Sequence, residues 1–458
     1  MKARLWLATV ALGLICLASA SAQQRKPNIV IFLADDTGYG DPTCYGGKDL
    51  LTPNVDSLAK SGIRCTSGYV SCPYCSPTRA GLLTGRYQQR FGHEFNEGQG
   101  RLTFGLPLGE TTFAQRMKDL GYITCAIGKW HLGNQPDHRP MKRGFDEFYG
   151  TLANTPFRNP MLVDSRVGPD PKRVEDNDFY TTDAYADRAV DVIEKYKNKP
   201  FFLYLPFNAN HVPVQTPPQK YLDRVKGIEN MNRRLYAAMF AAMDDAIGRV
   251  LDKLRELRLE DNTLIFFLSD NGGPLTKMGP NGAVNGPLKG QKGDTWEGAI
   301  RVPWIVQWKG KLPGGKVYDA PVISLDLLPT SIVAAGGKVS PDWKLDGVDL
   351  MPYLLGKASG VPHDMLYWRF GTQWAVRQGD WKLVQGYDYD VEQLTPQPQF
   401  TKVVPKARLH NLADDIGETT DLADKYPDRV KALQAAWDAW NKELQDPGWL
   451  PQPPKKKK

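Results

Sequence analysis

Cysteine is scarce in this chain, six among 458 residues, which excludes a disulfide-stapled scaffold. An excess of one charge is missing too. The formal net charge is +7, but Lys2, Arg4 and the run Lys455 to Lys458 supply nearly all of it. The body is close to neutral, so a nucleic-acid partner gets no support. Beyond the N-terminal segment no apolar run is long enough to cross a bilayer, which excludes integral membrane contact. No internal repeat is visible. What remains, at 41% hydrophobic and 24% charged residues, is an ordinary globular composition with length for two or three units.

The N-terminus has its own grammar. Met1 to Arg4 is short and basic, Leu5 to Cys16 is almost unbroken apolar, and Ala20-Ser21-Ala22 precedes Gln23. That order predicts a secretory signal peptide over residues 1–22 and a periplasmic or secreted protein. Ile15 before Cys16 fits lipoprotein processing poorly. Cleavage leaves Cys44, Cys65, Cys72, Cys75 and Cys125, an odd number, so at least one thiol stands outside any internal disulfide. Cys72 and Cys75 form a C-x-x-C, readable as a redox pair or half a metal site. No second such pair follows.

Asn28 to Ala34 is a continuous apolar run ending in acidic residues, the pattern of a buried parallel strand opening into a loop. Tyr122 to Ile127, Phe201 to Phe207 and Thr263 to Ser269 repeat it. Between them, Leu235 to Leu254 carries an apolar stripe of helical period. Strands alternating with helices predict an α/β fold, a doubly wound and mostly parallel sheet between helical layers, over residues 23–350. After that the pattern shifts. Leu366 to Phe370, Trp374 to Arg377 and Trp381 to Val384 read as an antiparallel meander, and Val430 to Leu444 as an amphipathic helix. These predict a smaller α+β subdomain over 351–445. Residues 446–458 read as a disordered basic tail.

Ligands of open α/β sheets bind beyond the C-terminal strand ends. Asp35-Asp36 closes the first strand and Asp270-Asn271 the strand at 263–269. Either pair alone reads as turn residues. Together they form an all-oxygen set suited to a hard cation, Ca²⁺ rather than Mg²⁺ if no nucleotide takes part. Lys129 and His131 follow the second strand and His211 the third. In Cys75-Ser76-Pro77-Thr78-Arg79, Pro77 fits the first turn of a helix. That places Cys75 at a helix start beside Arg79, where a thiol pKa would fall.

The stretch Cys75 to Arg79, followed by Thr84-Gly85, resembles the type I sulfatase signature C-x-P-x-R within the alkaline phosphatase superfamily, in its arylsulfatase and N-acetylgalactosamine-sulfatase branch. The Asp35-Asp36 loop, Gly128 to Gly133, His211, Asp270-Asn271, and Gly290 to Lys292 before Trp296-Glu297-Gly298 follow in the family's order. One site departs: after Gly144 to Gly150 this chain has Asn154 where many relatives carry serine.

The resemblance implies a sulfuric ester hydrolase whose Cys75 becomes formylglycine (3-oxoalanine) through a maturation enzyme. It implies one Ca²⁺ held by Asp35, Asp36, Asp270 and Asn271 with an oxygen at position 75. Arg79 and Lys129 would steady the nucleophile. Lys292 would contact sulfate, His211 with Lys292 would protonate the leaving oxygen, and His131 would accept a proton. Arg90, His93 and Asn96 are candidate subsite residues, with His93 counted among the substrate contacts. Sulfated carbohydrates or aryl sulfates are the expected substrates. The alternatives are a phosphonate or phosphodiester hydrolase sharing the nucleophile, and a non-catalytic carbohydrate-binding protein. Trp130, Trp296, Trp368 and Trp374 could stack on sugars but fit a core better.

Overall fold

A computed structural model describes residues 25–96, 105–275, 281–387 and 406–449. The expected signal peptide lies outside them, as do residues 450–458 of the expected tail.

The strand Asn28–Ala34 is fully buried along its length. Val30, Phe32 and Ala34 enter one apolar cluster with the helices Thr181–Tyr196 and Met231–Glu256. Ile29, Ile31 and Leu33 enter another with the helices Cys75–Thr84 and Leu327–Ala334. Alternate side chains thus face two helical layers, which is why the run is apolar at every position rather than every second one. Each fully buried Leu or Phe contributes about 1.5–3 kcal/mol.

This strand lies in a ten-stranded sheet. It pairs in parallel with Phe201–Pro206 and Thr263–Ser269. Ile123–Lys129 continues the parallel set from Phe201–Pro206, and Glu147–Thr151 follows it. Both flanks turn antiparallel, through Trp304–Gln307 on one side and Met161–Asp164 on the other. The parallel core places the ends of five strands along one edge. Gly128, at φ +132°, lets two of those strands approach closely: a Cβ there would lie 1.9 Å from the Pro206 carbonyl oxygen.

The strands Met365–Phe370, Gln373–Gln378, Trp381–Gln385 and Arg408–Asn411 form a separate antiparallel sheet in chain order. The helix Pro427–Asn441 covers it, stacking Trp437 on Trp374 at 4.6 Å and Trp440 on Tyr367 at 5.1 Å. Trp130, Trp296, Trp368 and Trp374 are all buried. They serve packing, as their composition led one to expect. Tyr69, Trp296 and Ile323 from the larger unit share the apolar cluster of this small sheet.

The segment read as a tail starts differently. The Gly448 amide donates to the Gly92 carbonyl at 2.8 Å, and the Trp449 indole donates to the Asn96 carbonyl at 3.0 Å. Trp449 is buried. Residues 446–449 therefore return to the main body, because an indole gains more by covering the aromatic side chains Phe95 and Phe370 than by staying in water.

Candidate active site

The sheet ladder itself assembles the acidic cluster. Past the strand ends, the Asp270 amide donates to the Ala34 carbonyl at 3.0 Å and the Asp35 amide to the Ala209 carbonyl at 2.9 Å. Three neighbouring strands thus deliver Asp35-Asp36, Asp270-Asn271 and Asn210-His211 to one place. Asp36 and His131 sit at φ +59° and +58°. Non-glycine residues seldom adopt that conformation, and it costs on the order of 1 kcal/mol or more.

Cys75 is the first residue of the helix Cys75–Thr84 and is fully buried. Its thiol lies 3.6 Å from Asp35 Oδ1. The helix start is fixed by the Asn96 side chain, which accepts from the Ser76 amide at 2.9 Å. Arg79, one turn on and so on the same face as Cys75, donates through Nε and Nη2 to Asp270 Oδ2 at 3.1 and 2.7 Å. Its Nη2 also lies 3.3 Å from Asp35 Oδ2. Lys129 pairs with Asp35 in a short contact. Lys292 donates to Asp36 Oδ1 at 2.6 Å, and Asn271 Nδ2 reaches the same oxygen at 2.7 Å. His211 Nε2 faces Asp36 Oδ2 at 3.8 Å, while its Nδ1 is turned to the Val212 carbonyl. The structure thus gathers Asp35, Asp36, Cys75, Arg79, Lys129, His211, Asp270, Asn271 and Lys292 into one buried cluster.

The electrostatics follow from burial among these charges. Burial alone would raise Asp35, but Lys129, His211, Arg79 and Lys292 hold it well below the usual carboxylate range. Burial and the Asp35 charge push Asp270 up. Burial raises the Cys75 thiol to about 12 despite Lys129 and Lys292. The helix start therefore does not make a thiolate here, contrary to the simple expectation, because desolvation outweighs the nearby cations. Burial, then Lys292 and Lys129, lowers His211 to about 4, and burial with Lys129 and Arg79 keeps His131 well below its ordinary value. Burial opposes the charge on Lys292, but Asp36, Cys75, Asp35 and Tyr74 together outweigh it and hold the ammonium protonated.

A hard cation fits this donor set. Ligand atoms of Asp35, Asp36, Cys75 and His211 lie within 4.8 Å of one another. Asp36 Oδ2 and Asn271 Oδ1 are buried acceptors with no hydrogen-bond partner among the described residues. Leaving such oxygens bare is costly unless something positive meets them. Asp270 is more occupied than its sequence position implied, since Arg79 takes Oδ2 and the Asp36 amide takes Oδ1 at 3.2 Å.

Three candidates separate from the cluster. His93 is fully buried. Its Nε2 meets the Ser76 hydroxyl at 2.7 Å and its ring edges against Trp449 at 4.7 Å. Through Ser76 it braces the helix that Cys75 begins. Arg90 is spent on Asp346 at 2.7 Å and Glu443 at 2.9 Å, and Asn96 caps the helix. Asn281 escaped the sequence reading: its Nδ2 donates to the Asp36 carbonyl at 2.9 Å and the Asn210 carbonyl at 3.1 Å. The only signal was an Asn-Gly pair, which reads as a turn.

A buried cysteine, three carboxylates and three cations converge at the edge of an α/β sheet, an arrangement suited to an anionic ester. A sulfatase family model matches residues 27–337. N-acetylgalactosamine-6-sulfatase of the dog, Canis lupus familiaris, is 34% identical over 82% of this chain and 75% of its own length. Arylsulfatase J of Mus musculus is 31% identical over 95% and 79%. Among solved structures, Ps i-CgsB in complex with k-i-k-neocarrahexaose superposes with a TM-score of 0.82 at 34% identity, covering 93% of this chain and 95% of that one. PsFucS1 sulfatase from Pseudoalteromonas sp. gives 0.78 at 26%, covering 93% and 92%. The chain belongs to the sulfatase family and is a sulfuric ester hydrolase.

Proposed function

We propose that this enzyme hydrolyses sulfate monoesters of carbohydrates through formylglycine at position 75 and one bound Ca²⁺. The observation carrying the reading is the cluster itself: the Cys75 side chain 3.6 Å from Asp35, beside Arg79, Lys129 and Lys292, with two oxygens of Asp36 and Asn271 unpaired. A thiol held near 12 is a poor nucleophile at neutral pH. The same carbon carried as an aldehyde hydrate supplies a hydroxyl to attack sulfur and a second whose deprotonation releases sulfate. Ca²⁺, when bound by Asp35, Asp36, Asp270 and Asn271, supplies charge that offsets the sulfuryl oxygens.

The chain's own groups divide the remaining work. Arg79 fixes Asp270 and leans on Asp35, so it keeps the carboxylates in place. Lys129 neutralises Asp35 next to the nucleophile. Lys292 holds a proton, and His211 is neutral in the resting enzyme, so Lys292 is the proton carrier of that pair for the departing oxygen. Neutral His131, its Nδ1 without a partner among the described residues, takes the second hydroxyl's proton. The partners are a formylglycine-generating maturation enzyme and a sulfated glycan. The apolar N-terminal segment supports export to the periplasm or outside the cell. Among the described residues no helix is long and apolar enough to cross a membrane.

Relatives named for N-acetylgalactosamine-6-sulfate ester cleavage, and a neighbour crystallised with a neocarrahexaose, favour a sugar sulfate. The test is sulfate release from a panel of sulfated mono- and oligosaccharides, with Ca²⁺ and with chelator. Release from at least one sugar, dependent on metal, is expected. Release from phosphonates or phosphodiesters alone would overturn the reading.

A further inference from the structure

Lys292 is held by its main chain as well as its side chain. Its amide donates to the Gly273 carbonyl at 3.3 Å, just past the Asp270-Asn271 turn. The next amide, Gly293, donates to the Pro73 carbonyl at 3.0 Å, just before the nucleophile helix. The Gly293 carbonyl then accepts from Gln373 Nε2 at 2.8 Å. Gln373 begins the second strand of the small C-terminal sheet and is buried. Gly293 stands at φ +90°, a conformation that a side chain would resist and that glycine adopts freely.

The same C-terminal unit grips the residues that follow. The Trp296 indole donates to the Tyr387 carbonyl at 2.9 Å. The Glu297 amide donates to Glu418 at 2.7 Å, and Lys382 bonds the Glu297 carboxylate at 2.9 Å. Glycines at 290 and 293 give the loop freedom, and contacts from the C-terminal unit remove it. Of the contacts named from the C-terminal unit, the Gln373 bond is the one that falls on the residue adjoining Lys292. Gln373 itself is held from behind, its Oε1 accepting from the Tyr387 amide at 3.4 Å.

We infer that Gln373 is a positioning residue: through the Gly293 carbonyl it fixes the backbone that aims Lys292, so the C-terminal subdomain sets the enzyme's affinity for the sulfate group. The inference rests on Lys292 contacting sulfate, as proposed above. A lone lysine on a glycine-flanked loop would lose side-chain and backbone freedom on binding. A backbone already fixed has less of that entropy left to lose.

The experiment measures inorganic sulfate binding by calorimetry on the Ca²⁺-loaded mature enzyme and on four variants: Gln373→Ala, Gln373→Met, Lys292→Ala and the double Gln373→Ala, Lys292→Ala variant. Gln373→Ala is expected to weaken sulfate binding about five- to tenfold, the worth of one hydrogen bond, with Ca²⁺ affinity unchanged. Gln373→Met, which keeps volume but cannot donate, is expected to match it and covers the case of a cavity in Gln373→Ala. Lys292→Ala is expected to weaken sulfate more, and adding Gln373→Ala to it is expected to cost nothing further. Additive losses in the double variant, or unchanged sulfate affinity in a folded Gln373 variant, would overturn the inference alone. Unchanged affinity in Lys292→Ala would overturn the reading of the site and this inference with it.

Discussion

Two buried clusters of charge lie on either side of the loop from Gly290 to Glu297, and they are finished to different degrees. At the seam with the small sheet, Lys382 sits between Glu297 at 2.9 Å and Glu418 at 2.8 Å. Arg301 reaches Glu297 at 3.3 Å, and Arg377 donates to the Tyr69 hydroxyl. Burial would raise Glu297, but Lys382, Arg301 and Arg377 together hold it low. At the candidate active site the carboxylates are as deeply buried, yet Asp36 Oδ2 and Asn271 Oδ1 have no hydrogen-bond partner among the described residues. By contrast, Glu418 Oε1 at the seam, likewise without one, is met by Lys382 at 2.8 Å. Asp36 and His131 also sit in left-handed backbone. Burial with pairing makes a brace. Burial with converging unpaired acceptors keeps a place for a ligand.

The sharpest way to break this comparison is to remove the proposed nucleophile. Cys75→Ala should cut turnover on the order of 10⁴-fold or more while thermal unfolding stays near that of the parent, since the helix start tolerates alanine. Assays of sulfate release with a melting curve read both. The bare acceptors come next. Asp36→Ala or chelation should lower activity on the order of 10²- to 10³-fold, and added Ca²⁺ should restore only the chelated parent. Equal activity without metal would mean that this cluster is not a cation site.

At the seam the same kind of change should act on stability. Lys382→Met strands two buried carboxylates and should cost about 3–5 kcal/mol, read by denaturant unfolding, with little change in kcat of the folded fraction. A large kcat loss at full stability would erase the distinction between brace and site.

The smallest effect concerns pH. Burial and the Lys382 charge lower His410 to about 4, and its ring edges on Trp296 at 5.7 Å. A histidine depressed in the folded state binds fewer protons there than in the unfolded chain. Its contribution to stability is therefore present above the ordinary value near 6.5 and lost as pH falls toward 4. His410→Gln should flatten the melting temperature across that window and leave it nearly unchanged at pH 8.

How legible all this was depended on where each signal came from. Asn28–Ala34 and Thr263–Ser269 matched the structure to the residue, because both faces are covered and the whole run had to be apolar. The strand Glu147–Thr151 was invisible. It opens on a glutamate paired with Arg188 and Lys195 of a neighbouring helix, so its polar residues hid its period. The ladder that brings Asp35 beside Asp270 made the acidic cluster readable from strand ends alone. The bracing by His93 and the return of residues 446–449 to the main body were not legible, for one shared reason. Trp449 comes back from far along the chain to bury that histidine, and no local pattern encodes such a contact. Gln373 shares this difficulty, since its partner Gly293 belongs to the other unit.

The central claim is chemical, and the most direct measurement is the mass of one peptide. Cleavage after Arg64 and Arg79 releases the segment Cys65 to Arg79, which holds Cys65, Cys72 and Cys75. In active protein that peptide should be about 18 Da lighter than its sequence, the change from CH₂SH to CHO. Fragmentation should place the loss on Cys75, and an aldehyde-reactive hydrazide should label the same residue. Cys65 and Cys72, which form no disulfide in this structure, should remain thiols. Specific activity should rise in proportion to the modified fraction. Fully active enzyme carrying an unmodified thiol at Cys75 would contradict the account.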